Sequence, residues 1–248
     1  MKLNKNFVSE TKEIASLTDW LSLAPPMGGL DQWRDGRSAK ELARYITESL
    51  PQMPKELEQL LCSFSGMDST FDWSAEYVTD FQKYGYGRGN GRNHDLILYN
   101  DDVFVGIEAK ADEPFGENTI AGELAKATEN KKLRIDRLVS LVFGDETENH
   151  LTLRYQLLTA CAGVLLEAKQ RKLRNALMVV LVFLKDGTDG NGRPYYCEEK
   201  RMRNNMDWEQ YLSQLCAVQT SGGCYKAAVP GACKEIALYL HKIEIPLK

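Results

Sequence analysis

The apolar residues of the 248-residue chain change period several times, and each change marks a predicted element. Residues 11–24 read as a short amphipathic helix that Pro25 and Pro26 stop, and a loop follows from Met27 to Gly36. Ser38-Ala-Lys-Glu41 has the form of a capping box. Leu42, Tyr45, Ile46 and Leu50 line one face of the helix it opens, as far as Pro51. A second short helix over 55–64 carries Leu57, Leu60, Leu61 and Phe64 at helical spacing. Beyond it the period drops to two. Phe71, Trp73, Ala75, Tyr77 and Phe81 fall on alternate positions, which predicts a strand.

A glycine-rich stretch from Tyr84 to His94 leads into a strand from Asp95 to Asn100, a turn at Asp101-Asp102 and a strand from Val103 to Glu108. Three successive antiparallel strands are expected. Helical spacing resumes over 120–143, as two helices, and over 151–172. In the last of these Leu157, Leu158, Cys161, Val164 and Leu165, with small residues between, leave no polar face, so the helix should be buried against the sheet. The uninterrupted apolar run 176–184 predicts a central strand covered on both faces. A helix over 206–218 and an edge strand over 239–245 complete the reading. This order predicts an α/β fold, a mixed sheet flanked by helices, in one domain spanning 1–248. Its core covers about 38–184 and a C-terminal elaboration about 185–248.

Hydrophobic residues at 43% and charged residues at 27% are ordinary for a globular chain. Residues 1–10 hold no apolar signal-peptide core, and the longest apolar run is too short for a bilayer, so a cytoplasmic protein is expected. The six cysteines show no CxxC or Cys/His spacing, which points to reduced thiols and away from structural zinc. A net charge of −4 argues against a surface that coats nucleic acid all round, though not against a local basic groove. Basic clusters occur at Lys131, Lys132, Arg134 and Arg137, at Lys169, Arg171, Lys172 and Arg174, and at Lys200, Arg201 and Arg203. His94, His150 and His241 lie in separate segments and no GxSxG is present, which argues against acyl transfer.

The predicted hairpin concentrates the chemistry. A two-residue turn at Asp101-Asp102 sets Asn100 opposite Val103 and therefore Asp95 opposite Glu108. Opposed residues share a face with Cβ atoms about 4.5–5.5 Å apart, and Lys110, two residues on, lies on that face too. Two carboxylates so placed repel unless a cation lies between them. Mg²⁺, held by one or two carboxylates with waters and a substrate phosphate, resolves the conflict and can activate water for phosphodiester hydrolysis. The competing reading is an exposed hairpin on which Lys110 offsets the two acids in a surface salt bridge.

The run Asp95-Leu-Ile-Leu-Tyr-Asn-Asp-Asp-Val-Phe-Val-Gly-Ile-Glu-Ala-Lys110 resembles motifs II and III of the PD-(D/E)XK nuclease superfamily, with its restriction-endonuclease-like fold. The order of elements from about Ser38 to Leu184 is similar to that family's α-β-β-β-α-β core. The resemblance implies Asp95 and Glu108 as ligands of Mg²⁺ or Mn²⁺, the Ala109 carbonyl as a backbone ligand, and Lys110 as the cation that positions water. It also implies a further glutamate from the first helix, Glu41 or else Glu48, and a glutamine, Gln156, from the helix after the third strand. Capping with Ser38 and burial with hydrogen bonds are the respective alternatives for Glu41 and Gln156. His94 stands where the motif's name has proline, and Glu113 reads as an outer ligand or a loop-anchoring acid.

The resemblance further implies a nuclease acting on DNA, with a homodimer as a family-level expectation. Arg88, Arg92 and His94 in and beside the glycine-rich loop are candidates for contacts to the phosphate backbone, and Tyr84 and Tyr86 for stacking on bases or packing under the loop. The rival readings are a non-catalytic nucleic-acid-binding or protein-interaction module on the same fold, within a larger defence or repair complex, and a catalytic subunit silent without its partner.

Overall fold

The computed structural model describes residues 1–248 except 5, 10, 11, 88, 90, 112, 189–191, 193, 194, 196 and 248, and only the backbone of 7–9. Strand β1 (Lys2–Leu3) is followed by a small hairpin of β2 (Phe7–Ser9) and β3 (Lys12–Glu13) apart from the main sheet. Helices α1 (Leu17–Leu23), α2 (Ser38–Thr47) and α3 (Lys55–Leu61) precede the antiparallel strands β4 (Thr70–Thr79), β5 (Arg92–Tyr99) and β6 (Val103–Lys110). Helices α4 (Ile120–Leu124), α5 (Glu129–Phe143) and α6 (Tyr155–Gln170) then cross over to β7 (Asn175–Leu184), parallel to β6. Helix α7 (Glu198–Gln214) and strands β8 (Val218–Gln219), β9 (Tyr225–Ala227) and β10 (Ala237–Pro246) complete the chain.

The result is an α/β fold built on an eight-stranded mixed sheet in the order β1-β4-β5-β6-β7-β10-β9-β8. Side chains alternate across each strand, so the sheet feeds two cores. Leu177, Val179, Leu181 and Phe183 of β7 pack with α1, α2 and α3, whereas Met178, Val180 and Val182 pack with α5, α6 and α7. That two-sided burial is why β7 reads as an unbroken apolar run. Helix α6 is buried continuously from Leu157 to Ala168, as its lack of a polar face requires.

Three local expectations are corrected. The first helix begins at Leu17, capped by the Ser16 hydroxyl, because residues 12 and 13 are drawn into the small hairpin. Ser38 does not cap α2: the N-cap is Arg37, the Ser38 hydroxyl donates to Glu113 at 3.0 Å, and Glu41 accepts the Gly36 N–H at 2.6 Å. Strand β10 is no edge, since β7 pairs with it along ten residues on one side and β9 on the other. The short strands β8 and β9, too brief to show a period, cover it.

One irregularity positions the site. Ala75 pairs with Leu96 and Tyr77 with His94, so Glu76 stands opposite Asp95, yet the ladder skips this pair. Glu76 has a left-handed backbone, φ 48°. On one side of it Trp73, Ala75 and Leu96 face the α1–α3 core. On the other, Tyr77 donates to Glu167 of α6 at 3.1 Å and His94 lies against Gly163 of α6. Residues two apart should share a face. Here both strands turn over at the Glu76 and Asp95 pair, which carries Arg92 and His94 to the α6 side.

Candidate active site at the end of the central hairpin

Glu108 and Lys110 occupy alternate positions on the α6 side of β6, and both are buried. Glu108 Oε1 accepts from Lys110 Nζ at 2.8 Å and from Gln156 Nε2, the latter at the first turn of α6. Its Oε2 accepts from Arg92, which the turnover of β5 delivers to this face. A buried carboxylate is tolerable only where ion pairs and hydrogen bonds compensate its lost hydration. At 3% and 8% exposure, Glu108 and Lys110 form an interior pair and no surface salt bridge.

The hairpin register is Leu96 with Ile107, Ile97 with Gly106, Leu98 with Val105 and Tyr99 with Phe104, and the ladder ends one step short of Asp95 and Glu108. Asp95 Oδ2 accepts the Ala109 N–H at 2.7 Å, so its carboxylate ties the two strands together beyond the last paired residues. Burial pushes the Asp95 carboxyl above its usual range, against the pull of Lys110, the Ala109 N–H and Arg92. Burial likewise lowers the Lys110 ammonium, against Asp95 and Glu113. Glu76, also raised by burial and to about 7, accepts from Asn93 Nδ2 at 2.6 Å and feels the charge of Asp95.

The structure brings Glu108, Lys110, Gln156 and Arg92 into direct contact and places Asp95 on the neighbouring backbone. It engages Glu41 elsewhere: one oxygen takes the Gly36 N–H and the other the Arg44 guanidinium at 2.5 Å. Glu48 is exposed and lies 3.9 Å from Arg44. Glu113 accepts from Ser38 and from the Ala111 N–H, which makes it an anchor for the loop after β6.

His94 is corrected outright, because it is 1% exposed and cannot meet a phosphate backbone. Its ring fills space left by two glycines. A Cβ on Gly163 would lie 2.5 Å from His94 Nε2, and one on Gly106 would lie 2.8 Å from His94 Nδ1. Burial holds this imidazole well below its usual pKa, with Arg92 adding to the effect. Arg92 is corrected in part, since it serves Glu108 from inside. Arg88 lies outside the described residues. Tyr84 packs under the loop and donates to Glu167 at 3.0 Å, and Tyr86 packs against the same core.

Glu76 and Asn93 are site residues that the sequence reading missed. Both fall on strand positions with no unusual spacing, and a left-handed residue inside a strand leaves no pattern when it is a glutamate. Beside Arg92 and Gln156 opens a polar cleft of about 400 Å³, also lined by Asn93, Lys131, Arg134 and Tyr155. Among the described residues no three His, Cys, Asp or Glu side chains cluster as a metal site. Of the oxygens that the resemblance assigns to a cation, Asp95 Oδ2 accepts from the Ala109 N–H, and both Glu108 oxygens accept from Lys110, Gln156 and Arg92. Gln156 Oε1 is buried without a hydrogen-bond partner.

Among the described residues no helix is long and apolar enough to cross a membrane. No curated protein and no solved structure matches the chain. The model of a domain family of unknown function, DUF6946, matches residues 13–247. With nearly its whole length so covered, the chain belongs to the DUF6946 family.

Proposed function

We propose that the protein is a cytoplasmic nuclease of restriction-endonuclease-like fold that hydrolyses phosphodiester bonds, in DNA, with Mg²⁺ or Mn²⁺. The observation that carries this reading is the buried Glu108 and Lys110 pair at the end of β6, with Asp95 on the adjoining strand and Gln156 reaching in from α6. A cell of charges this costly to bury is characteristic of sites that use them.

The donors suit a hard divalent ion: they are oxygens, two of them carboxylates. Asp95, Glu108 and the Ala109 carbonyl would hold it. Such an ion supplies a polarised phosphoryl oxygen and a bound water of lowered pKa. Lys110 would orient the attacking water and offset charge that builds on the phosphoryl oxygens. Gln156 fixes the Glu108 carboxylate from the α6 side. Arg92 neutralises Glu108 Oε2 from inside the fold.

A second reading rests on one feature. Both oxygens of Glu108 are already neutralised by Lys110 and Arg92, as they would be in a module of this fold that binds without cutting. Labelled single-stranded DNA, duplex DNA and RNA, each incubated with the protein in Mg²⁺, in Mn²⁺ and in EDTA, separate the two. Metal-dependent cleavage that EDTA abolishes supports the nuclease; no cleavage of any substrate in either metal supports the module.

A further inference from the structure

We infer that the cleft beside Glu108 is a pocket for a single unpaired nucleoside, so that the substrate presents one unstacked nucleotide next to the bond to be cut. The inference rests on the nuclease reading for that bond alone. Its grounds lie in the cleft itself.

The cleft's volume of about 400 Å³ falls near the lower end of the roughly 300–1,000 Å³ usual for small-molecule sites. That is room for one nucleoside and not for a stacked, paired stretch of duplex. Its charges are spoken for. Arg92 is paired with Glu108 and Lys131 with Glu123, both lining or adjoining the cleft, so the hollow is no sink for a bare phosphate.

The residues that line the cleft hold unmet hydrogen-bonding capacity of both signs. Asn93 Oδ1 and Gln156 Oε1 are acceptors, and Arg92 Nε is a donor. All three are buried with no hydrogen-bond partner, and all three belong to lining residues. The Arg92 side chain is nine-tenths buried. An edge that offers donors and acceptors together is the chemistry of a nucleobase. Turning these oxygens to a ligand releases Asn93 Nδ2 from Glu76 and Gln156 Nε2 from Glu108, so contacts to the base must replace those two hydrogen bonds. Tyr155 brings an aromatic surface at the mouth of α6. Lys131 Nζ lies 5.9 Å from its ring centroid and Arg134 reaches its hydroxyl at 3.5 Å. Base against aromatic ring is how unpaired nucleotides are commonly held.

The test is equilibrium binding to the full chain in EDTA, with deoxynucleoside 5′-monophosphates as one probe and 2-deoxyribose 5-phosphate as the other. The nucleotides should bind about tenfold or more tightly than the sugar phosphate, and Tyr155→Leu should erase the difference. Equal affinity for the two probes in the unaltered protein, or binding of neither, overturns the pocket whatever becomes of the variant. Metal-dependent cleavage alongside equal affinities removes the pocket and leaves the nuclease. Base-dependent binding in a protein that cuts nothing removes the nuclease and leaves the pocket.

Discussion

Glu76 faces Asp95 across two strands that otherwise pair residue for residue, and its left-handed backbone lets both strands turn over at that point. In a regular β5, Arg92 would share a face with Leu96 and point into the α1–α3 core. Instead it meets Glu108 on the α6 side. The strained residue thus assembles the candidate site without belonging to the run from Asp95 to Lys110, in keeping with the tendency of strained backbone to gather at functional sites.

The strain has a measurable signature. A β-branched residue tolerates positive φ poorly and glycine adopts it freely. Glu76→Val should therefore be less stable than Glu76→Gly by about 1–3 kcal/mol in chemical denaturation. Equal stability of the two variants would mean that Glu76 does not hold this backbone in solution.

Close packing around His94 gives a second outcome. A methyl group added at Gly163 meets the imidazole at a distance that real Cβ atoms do not show. Gly163→Ala should cost about 1–3 kcal/mol by overpacking. Combining it with His94→Ala should cost less than the two changes summed, which a double-mutant cycle of unfolding free energies reads directly.

His94 also fixes a pH dependence. The folded protein keeps the imidazole neutral well below the 6.5 usual for the unfolded chain. Below that pH the unfolded state binds one more proton than the native state, so stability is present above it and drains away as the pH falls. Between pH 7.5 and 5.5 the loss from this group is on the order of 1 kcal/mol. The difference in unfolding free energy between the protein and His94→Gln, followed across this window, isolates it. A constant difference would place the imidazole in water.

Removing the central acid should be costly for folding as well as for chemistry. Glu108→Ala leaves Lys110 and Arg92 buried without their shared partner, and the expected destabilisation is about 3–5 kcal/mol. Glu108→Gln, which keeps the volume and one acceptor, should lose less. Urea midpoints of the two variants make the comparison.

The main architecture was legible because its signals are periodic. The alternation of Phe71, Trp73 and Ala75, the two-residue turn at Asp101-Asp102 and the continuous apolar run of β7 each force an element and a register. Signals that depend on distant partners were not legible. Ser38 and Glu41 satisfy a local capping rule, but Glu113 and Gly36 take their hydrogen bonds. The burial of His94 depends on Gly106 and Gly163, one on β6 and the other on α6, and no local pattern ties them to it. The turnover at Glu76 is of the same kind. Arg92 and His94 were expected at the surface because the strand was read as starting at Asp95, whereas β5 begins at Arg92 and carries both residues inside.

The nuclease reading is tested most directly by three near-isosteric changes, Asp95→Asn, Glu108→Gln and Lys110→Met, assayed together on single-stranded and duplex DNA in Mn²⁺. Each variant is first shown by circular dichroism and thermal unfolding to keep the native fold. Each is expected to lower cleavage by about a thousandfold or more, in line with the loss of a charged group that acts in the transition state. Cleavage at the unaltered rate in all three folded variants would contradict the assignment.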